Sequence, residues 1–573
     1  MNAPTLLAAN ALTASTAKIP RQRIEPAVAL ALTLFVAILL ACVALNAGGL
    51  WRDEANSINL AQMPTLKELW HNLRFDSCPL LWPLLLRVWT ILGLAGTDLG
   101  IRLLGLMVGL SFLASLWLCV RWIGGRAPVI SIALLGSLPA FINIVGANRA
   151  YGLASTLLLL NFGAVWRVVQ LPSRDRVIIG AVAAILFVHC IYYNGVFLYA
   201  MLFAAAIVVI QRRDWKTLSV LGGIGAVTGL SMLIYVPMIL KESSHAALTQ
   251  VPLGWWNLWT KLNVAVTQPS GTQGSLSPDL RIWVWIVLLL LGVVTTIVVQ
   301  GRWTRQSDGF HFSRATQGSA EARAHLALYG SLSMLCGIVG YGCFLLKVQL
   351  PTESWYYVEA LTLCAISIEG TLGRCLEAFR PWGVMRICCV ILIMSWGGSS
   401  SVDEALTRRT NIDVIAAKLR SEARQGDLVL VYGPWEGITF ERYYQGVARW
   451  MTVPPIDSHK VHRADLVIQK INDSQPLAST FVAIDETLAS GHAVWVVGQV
   501  ELARKALPLP HSPNRPIKWG LGAYFGNWSA QVMAHVLAQS RPVATGSLSL
   551  GRPVNKLEDL PLMRFVKNRS PNE

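Results

Sequence analysis

The 573 residues are 54% hydrophobic and 14% charged, against about a quarter charged in a soluble chain of average composition, which excludes a purely soluble globular protein. The formal charge of +16 would suggest nucleic acid in a soluble protein, but here many of the basic residues sit in short loops between apolar runs and act as a topology signal. Ten cysteines, none beyond Cys389 and most inside apolar runs, read as packing residues rather than a redox or metal set.

In chain order, Met1 to Arg23 is polar and rich in small residues. The apolar run Ala27 to Asn46 is too long for a signal-peptide core, so it reads as a retained first membrane helix. Apolar segments close to the roughly 20 residues that cross a bilayer core lie near 28–48, 79–96, 101–120, 128–146, 150–169, 177–192, 194–210, 217–240, 281–300, 326–347, 354–372 and 383–398. Basic clusters at Lys18/Arg21/Arg23, Arg212/Arg213/Lys216, Arg302/Arg305/Arg314/Arg323 and Arg374/Arg380 favour the cytoplasm. The loops Trp51 to Cys78, Lys241 to Asp279 and Val348 to Ser354 then face outward, as does the C-terminal region. Counting back from Arg212 leaves 79–96 unable to cross in the required direction, so either that segment is re-entrant or the Arg121 loop breaks the rule. Eleven to thirteen crossings, odd in number, are expected.

Within the second outward loop, Trp255, Trp256 and Trp259 share one helical stripe and predict an interfacial helix. After Ser401 the apolar runs stop. Helical spacing over Asn411 to Arg424 and strand patterns at Asp427 to Tyr432 and Ala493 to Gly498 predict a small α/β domain. The expected architecture is a polytopic α-helical membrane protein over residues 1–400, with the outward loop 49–78, followed by an extracytoplasmic α/β domain over 401–573. The expected location is the bacterial inner (plasma) membrane.

Chemistry concentrates in the first outward loop, Gly49-Leu-Trp-Arg-Asp-Glu-Ala-Asn-Ser, where Asp53 and Glu54 follow the first membrane helix. Two neighbouring, partly desolvated carboxylates can raise a pKa toward the working range of a general base. The plain alternative is a solvated helix N-terminus whose acids complement the macrodipole. Asp76 stands before the next apolar segment, as a further acid or as a cap for a helix starting near Pro79. If Leu60 to Leu73 forms an amphipathic surface helix, both membrane-entry points of the loop can converge on one cavity.

An Asp-Glu pair after the first helix, an Asp-x-x-Pro-Leu entry, the Arg149-x-Tyr151 element of Gly146-Ala-Asn-Arg-Ala-Tyr, and the His189-Cys-Ile-Tyr192-Tyr193 stretch together resemble the integral-membrane GT-C glycosyltransferases. The likeness is to the branch of protein mannosyltransferases, aminoarabinose transferases and lipopolysaccharide-core glycosyltransferases. It spans about the first 210 residues. Many relatives carry an acid where this chain has Ala147, His-Pro-Pro-Leu where it has Ser77-Cys78-Pro79-Leu80, and Arg-Tyr where it has Trp355-Tyr356. A divalent cation would therefore lack the His and the acid that those relatives supply. The resemblance implies a polyprenyl-phosphate-linked sugar donor, a loop aspartate as base, and inversion at the anomeric carbon.

A polyprenyl phosphate is a good leaving group, so the reaction needs a base for the acceptor hydroxyl and cations for the phosphate. Asp53 is the chosen base, with Glu54 and Asp76 as the other acids. Arg149 is the first phosphate contact, since a guanidinium grips phosphate through two donors; the alternative is a snorkelling arginine. Lys347 is a second cation, or a helix-end snorkel. His189 lies in an apolar segment, where an ionisable side chain marks function or an interhelical hydrogen bond. Tyr192 and Tyr193 are sugar-stacking candidates or interfacial belt residues, and Tyr151 and Tyr356 are counted with them among the substrate-binding residues. The acceptor is a lipid, glycan or protein. A transporter or flippase of a lipid-linked glycan would show paired halves and midplane acids, and a non-catalytic scaffold would be indifferent to loss of Asp53.

Overall fold

The computed structural model describes residues 21–76, 78–240, 253–268, 280–307, 314–374, 376, 382–499, 521–546, 548 and 550–568. Lys18, Ser77, Arg380 and most of the loop Lys241 to Asp279 lie outside the described residues. Among those described, eight helices are long and apolar enough to cross a membrane: Ile24–Asn46, Asp98–Trp122, Ala150–Gln170, Asn194–Gln211, Trp215–Leu240, Leu280–Gly301, Ala320–Val348 and Trp382–Leu406.

The other four apolar segments fold as shorter helices. Leu81–Ile91 stops at a glycine with positive φ, Gly93, and its eleven residues reach only about 16 Å, half of a hydrocarbon core. That length favours the re-entrant reading of 79–96 over a break of the positive-inside rule at Arg121. Segment 128–146 is divided into Val129–Gly136 and Pro139–Val145, because Pro139 cannot donate to a continuing helix. Arg174–Val188 and Val358–Ile368 are likewise short. Eleven to thirteen crossings are reached only if these short helices span as well.

The Asp98–Trp122 and Ala150–Gln170 helices both pack through glycines against the end of the Pro139–Val145 segment. A Cβ on Gly105 would lie 2.2 Å from the Gly146 carbonyl oxygen, and one on Gly152 2.0 Å from that of Val145. Small residues let helix backbones approach where no hydrophobic drive separates them from lipid. That approach seats Arg149, at the N-terminus of Ala150–Gln170, beneath the loop 49–78. The expected tryptophan helix forms as Trp255–Thr267, with Trp255 and Trp256 mostly exposed.

The C-terminal region builds a five-stranded sheet from β1 (Leu428–Tyr432), β2 (Arg449–Val453), β3 (Val494–Val497), β4 (Ser540–Gly546) and β5 (Leu562–Lys567), in the order β2-β1-β3-β5-β4. The first three run parallel, while β5 joins β3 and β4 antiparallel. Every residue of β1 and β3 is buried, as a strand covered on both faces requires. Leu428 and Leu430 pack on one face with Trp528, and Val429 and Val431 on the other with Ile415 and Leu419.

This region is clamped to the loop 49–78. The Arg409 amide donates to the Ala47 carbonyl at 2.9 Å, and the Arg52 amide to Glu558 at 2.9 Å. Asp98 accepts from Arg442 at 2.9 Å and from the Tyr443 hydroxyl at 2.6 Å, and the Leu50 amide donates to that hydroxyl. The carboxyl ends of β1 and β2 feed the loops that reach the membrane part, and the crevice beyond such ends, where strand order reverses, is where open α/β sheets place ligands.

Candidate active site

The short helix Arg52–Ala61 carries the acidic pair, and its first turn sends the two carboxylates in different directions. Successive residues on a helix do not share a face. Glu54 turns inward: it accepts from Arg409 at 2.7 Å and from the Asn148 amide at 3.0 Å, and its side chain is 1% exposed. Arg409 in turn bonds the Asn143 carbonyl, and Asn143 bonds Glu404. Glu54 is thus a buried lock between the first loop, the Arg149 turn and the start of the C-terminal region.

Asp53 remains 23% exposed, with His462 Nε2 at 3.4 Å and Arg52 Nε at 3.8 Å from its carboxylate. Burial would raise its pKa, but hydrogen bonding by His462 and the charges of Arg149, His462 and Arg52 outweigh it and hold the carboxyl below the usual range. The expectation of a raised carboxyl pKa is corrected for Asp53, whose surroundings are cationic. Asp53 is therefore an anion that persists through the neutral range.

Asp76 is brought to the same place from the far end of the loop. Its carboxylate accepts from Asn56 at 3.1 Å, Ser57 at 3.2 Å and Arg149 at 3.2 Å, and also from the Cys78 amide at 3.3 Å, so a local capping bond coexists with the longer-range ones. Arg149 Nη1 further donates to Ser57 Oγ at 2.7 Å and to the Asp53 carbonyl at 3.2 Å. The pair is deeply buried, at 5% and 1% side-chain exposure. Arg149 meets Asp76 under the loop.

Aromatic side chains wall this cluster. Tyr151 packs edge-on against Tyr356 at 5.9 Å, and Trp51 against Trp355 at 5.2 Å. The Tyr356 carbonyl accepts from Tyr341 at 2.8 Å. Tyr341 and Tyr357 line an apolar cavity of about 340 Å³ together with Trp255, Trp285 and Leu361. Tyr341 thus belongs to the cavity and bonds the backbone of Tyr356, whose ring meets Tyr151.

Other predicted residues lie elsewhere. His189 bonds the Tyr235 hydroxyl at 2.8 Å and Ser231 at 3.0 Å, and Tyr192 meets Tyr235 edge-on; this group packs beside Phe75 and Leu80 on the Asp76 side. Tyr193 is buried and donates to Glu359 at 3.0 Å. Lys347 is exposed in the last turn of its helix, with no described contact to the acids. The sequence reading missed Arg52, His462, Glu436 and Glu558. Arg52 was written in the motif itself, beside Asp53; it bonds Glu436 at 2.9 Å.

A divalent cation does not fit these residues. Among the described residues no group of three or more His, Cys, Asp or Glu side chains is placed to hold one. Asp53 faces cationic partners, and the oxygens of Asp76 are occupied by Arg149, Asn56, Ser57 and Cys78.

Replacing Glu54 by glutamine leaves Arg409 buried without its ion-pair partner, which costs about 3–5 kcal/mol. Thermal unfolding of the purified variant checks this. A glutamine variant as stable as the parent would return Glu54 to the catalytic candidates.

Fold and site together define a polytopic helical membrane protein with a small C-terminal sheet and an arginine-bound carboxylate pocket at the junction of the two. The chain is similar to the structure of ArnT from Cupriavidus metallidurans bound to undecaprenyl phosphate, at 13% identity, TM-score 0.42, covering 81% of this chain and 92% of that one. It is also similar to the apo state of the same protein at 13% identity, TM-score 0.37, with the same coverage. No protein-family model and no curated relative matches the chain.

Proposed function

We propose that the protein is an inverting glycosyltransferase that takes a sugar from a polyprenyl-phosphate-linked donor, with the Asp53 pocket outside the cytoplasm. The observation that carries this reading is an anionic, partly exposed aspartate set beside the buried Arg149–Asp76 pair, in a fold that also holds an apolar cavity lined by Tyr341 and Tyr357. A substrate that is half hydrocarbon and half charged head requires that pairing. The motif resemblance to GT-C transferases points the same way.

In this reading the acceptor hydroxyl attacks the anomeric carbon, and the new C–O bond forms as the bond to phosphate breaks. The polyprenyl phosphate leaves with the electron pair, and the hydroxyl proton passes to Asp53. Arg149 is proposed to hold the Asp53 carbonyl and Asp76 in register and to add positive charge beneath the departing phosphate, with Lys347 as an outlying cation. Tyr151 and Tyr356 are proposed to bound the sugar subsite. His189 and Tyr192, packed on the Asp76 side, are proposed to support it from behind. Orientation follows from the basic clusters, and the acceptor class is a lipid, glycan or protein. The acids sit at a loop rather than at the midplane of paired halves, which disfavours a transporter.

Native mass spectrometry of the detergent-purified protein titrated with polyprenyl phosphate, and separately with the matching polyprenol, tests the donor class. Tighter binding of the phosphate form is expected. Equal binding of both would show that the protein recognises only hydrocarbon.

A further inference from the structure

The described titratable side chains around Asp53 come from four parts of the chain. Arg52 is on its own helix, and Arg149 and Tyr151 flank the N-terminus of Ala150–Gln170. Tyr356 belongs to the turn before Val358–Ile368. The fourth, His462, comes from the C-terminal region. Beyond these, Glu436 and Glu558 face Arg52, while Asp76 faces Arg149.

His462 is fixed from several sides. Its backbone amide donates to Asn56 Oδ1 at 2.9 Å, and Asn59 holds the Lys460 carbonyl at 2.9 Å, so the segment is tied to the same helix that carries Asp53. Its ring stands edge-on to Trp435 at 5.2 Å. Trp435 lies in the loop leaving the carboxyl end of β1, next to Glu436, which grips Arg52. The adjacent Arg463 guanidinium sits 5.5 Å over the Phe75 ring, one residue from Asp76. The His462 Nε2 lies 3.4 Å from the Asp53 carboxylate, a placement from which a third group can orient a base.

We propose that His462 is a positioning residue for Asp53, so that the C-terminal sheet region completes a reaction centre otherwise built in the membrane part. The inference rests on Asp53 being the base, as argued under Proposed function. Nε2–H fixes the rotamer of the Asp53 carboxylate and leaves its second oxygen to accept the acceptor's proton. A C-terminal region that merely docked would contact the loop without reaching the carboxylate.

The test uses the full-length purified protein and three variants: His462→Phe, which keeps the ring against Trp435 but loses the donor, His462→Gln, which restores a donor, and Asp53→Asn. Both His462 variants retain the backbone bond to Asn56. Asp53 is labelled with a water-soluble carbodiimide and an amine across a pH series, and the modified peptide is quantified by mass spectrometry. Since the reagent captures the protonated carboxyl, the labelling midpoint of Asp53 should move up by about one pH unit in His462→Phe and return toward the parent in His462→Gln. Restoration of the missing glycan in a deletion strain should fall in the same order. An Asp53 midpoint unchanged in His462→Phe, with restoration equal to the parent while Asp53→Asn restores nothing, overturns this inference and leaves the base assignment standing. Restoration by Asp53→Asn overturns the base assignment itself.

Discussion

Asp53→Asn is expected to abolish transfer while insertion, abundance and thermal stability stay close to the parent. The amide keeps the shape of the carboxylate and can still accept from His462, but it cannot take a proton from the acceptor. Removal of a general base of this kind costs roughly 10²–10⁴ in rate. The stability change is small because Asp53 is 23% exposed and its ion pairs at 3.4 and 3.8 Å are long; exposed pairs of this type contribute about 0–1 kcal/mol. The contrast with Glu54→Gln is diagnostic, since adjacent residues are expected to fail in opposite ways, one in turnover and the other in folding.

Arg149→Ala is expected to destabilise the protein by about 3–5 kcal/mol, because it strands the Asp76 carboxylate, 1% exposed, without its cation. Exchanging both partners for apolar residues, as in Arg149→Met with Asp76→Leu, should recover much of that stability while leaving transfer absent. Arg149→Lys separates charge from geometry. Lysine keeps the charge but would have to place its ammonium where Nη1 bonds Ser57, Asp76 and the Asp53 carbonyl, from a side chain without the rigid guanidinium plane. It should retain membrane abundance and lose at least roughly tenfold in transfer, about 1.4 kcal/mol. Full activity of the lysine variant at matched stability would reduce Arg149 to a structural cation.

The membrane class and the strands at 428–432 and 494–497 were legible because their signals are local: long apolar runs, and buried β-branched residues after Gly426. The first loop was legible as a place for the same reason, since its acids are written in one stretch. What the sequence could not show is which way each acid turns. Glu54 is decided by Arg409, 355 residues away, and the Asp53 surroundings by a segment tied to Asn56 across 406 residues. β2 escaped notice because it is an edge strand beginning with an exposed arginine, with little alternation to mark it. The divided segment 128–146 shows the reverse: Pro139 was visible, but apolar content concealed the break.

The most direct measurement is the envelope lipid and glycan profile of a strain lacking this protein, complemented by the parent or by Asp53→Asn at equal abundance. The account predicts one species short of a single sugar, restored by the parent and not by Asp53→Asn, with the polyprenyl-phosphate-linked donor accumulating in the uncomplemented strain. An unchanged profile in the deletion strain, or full restoration by Asp53→Asn, would contradict it.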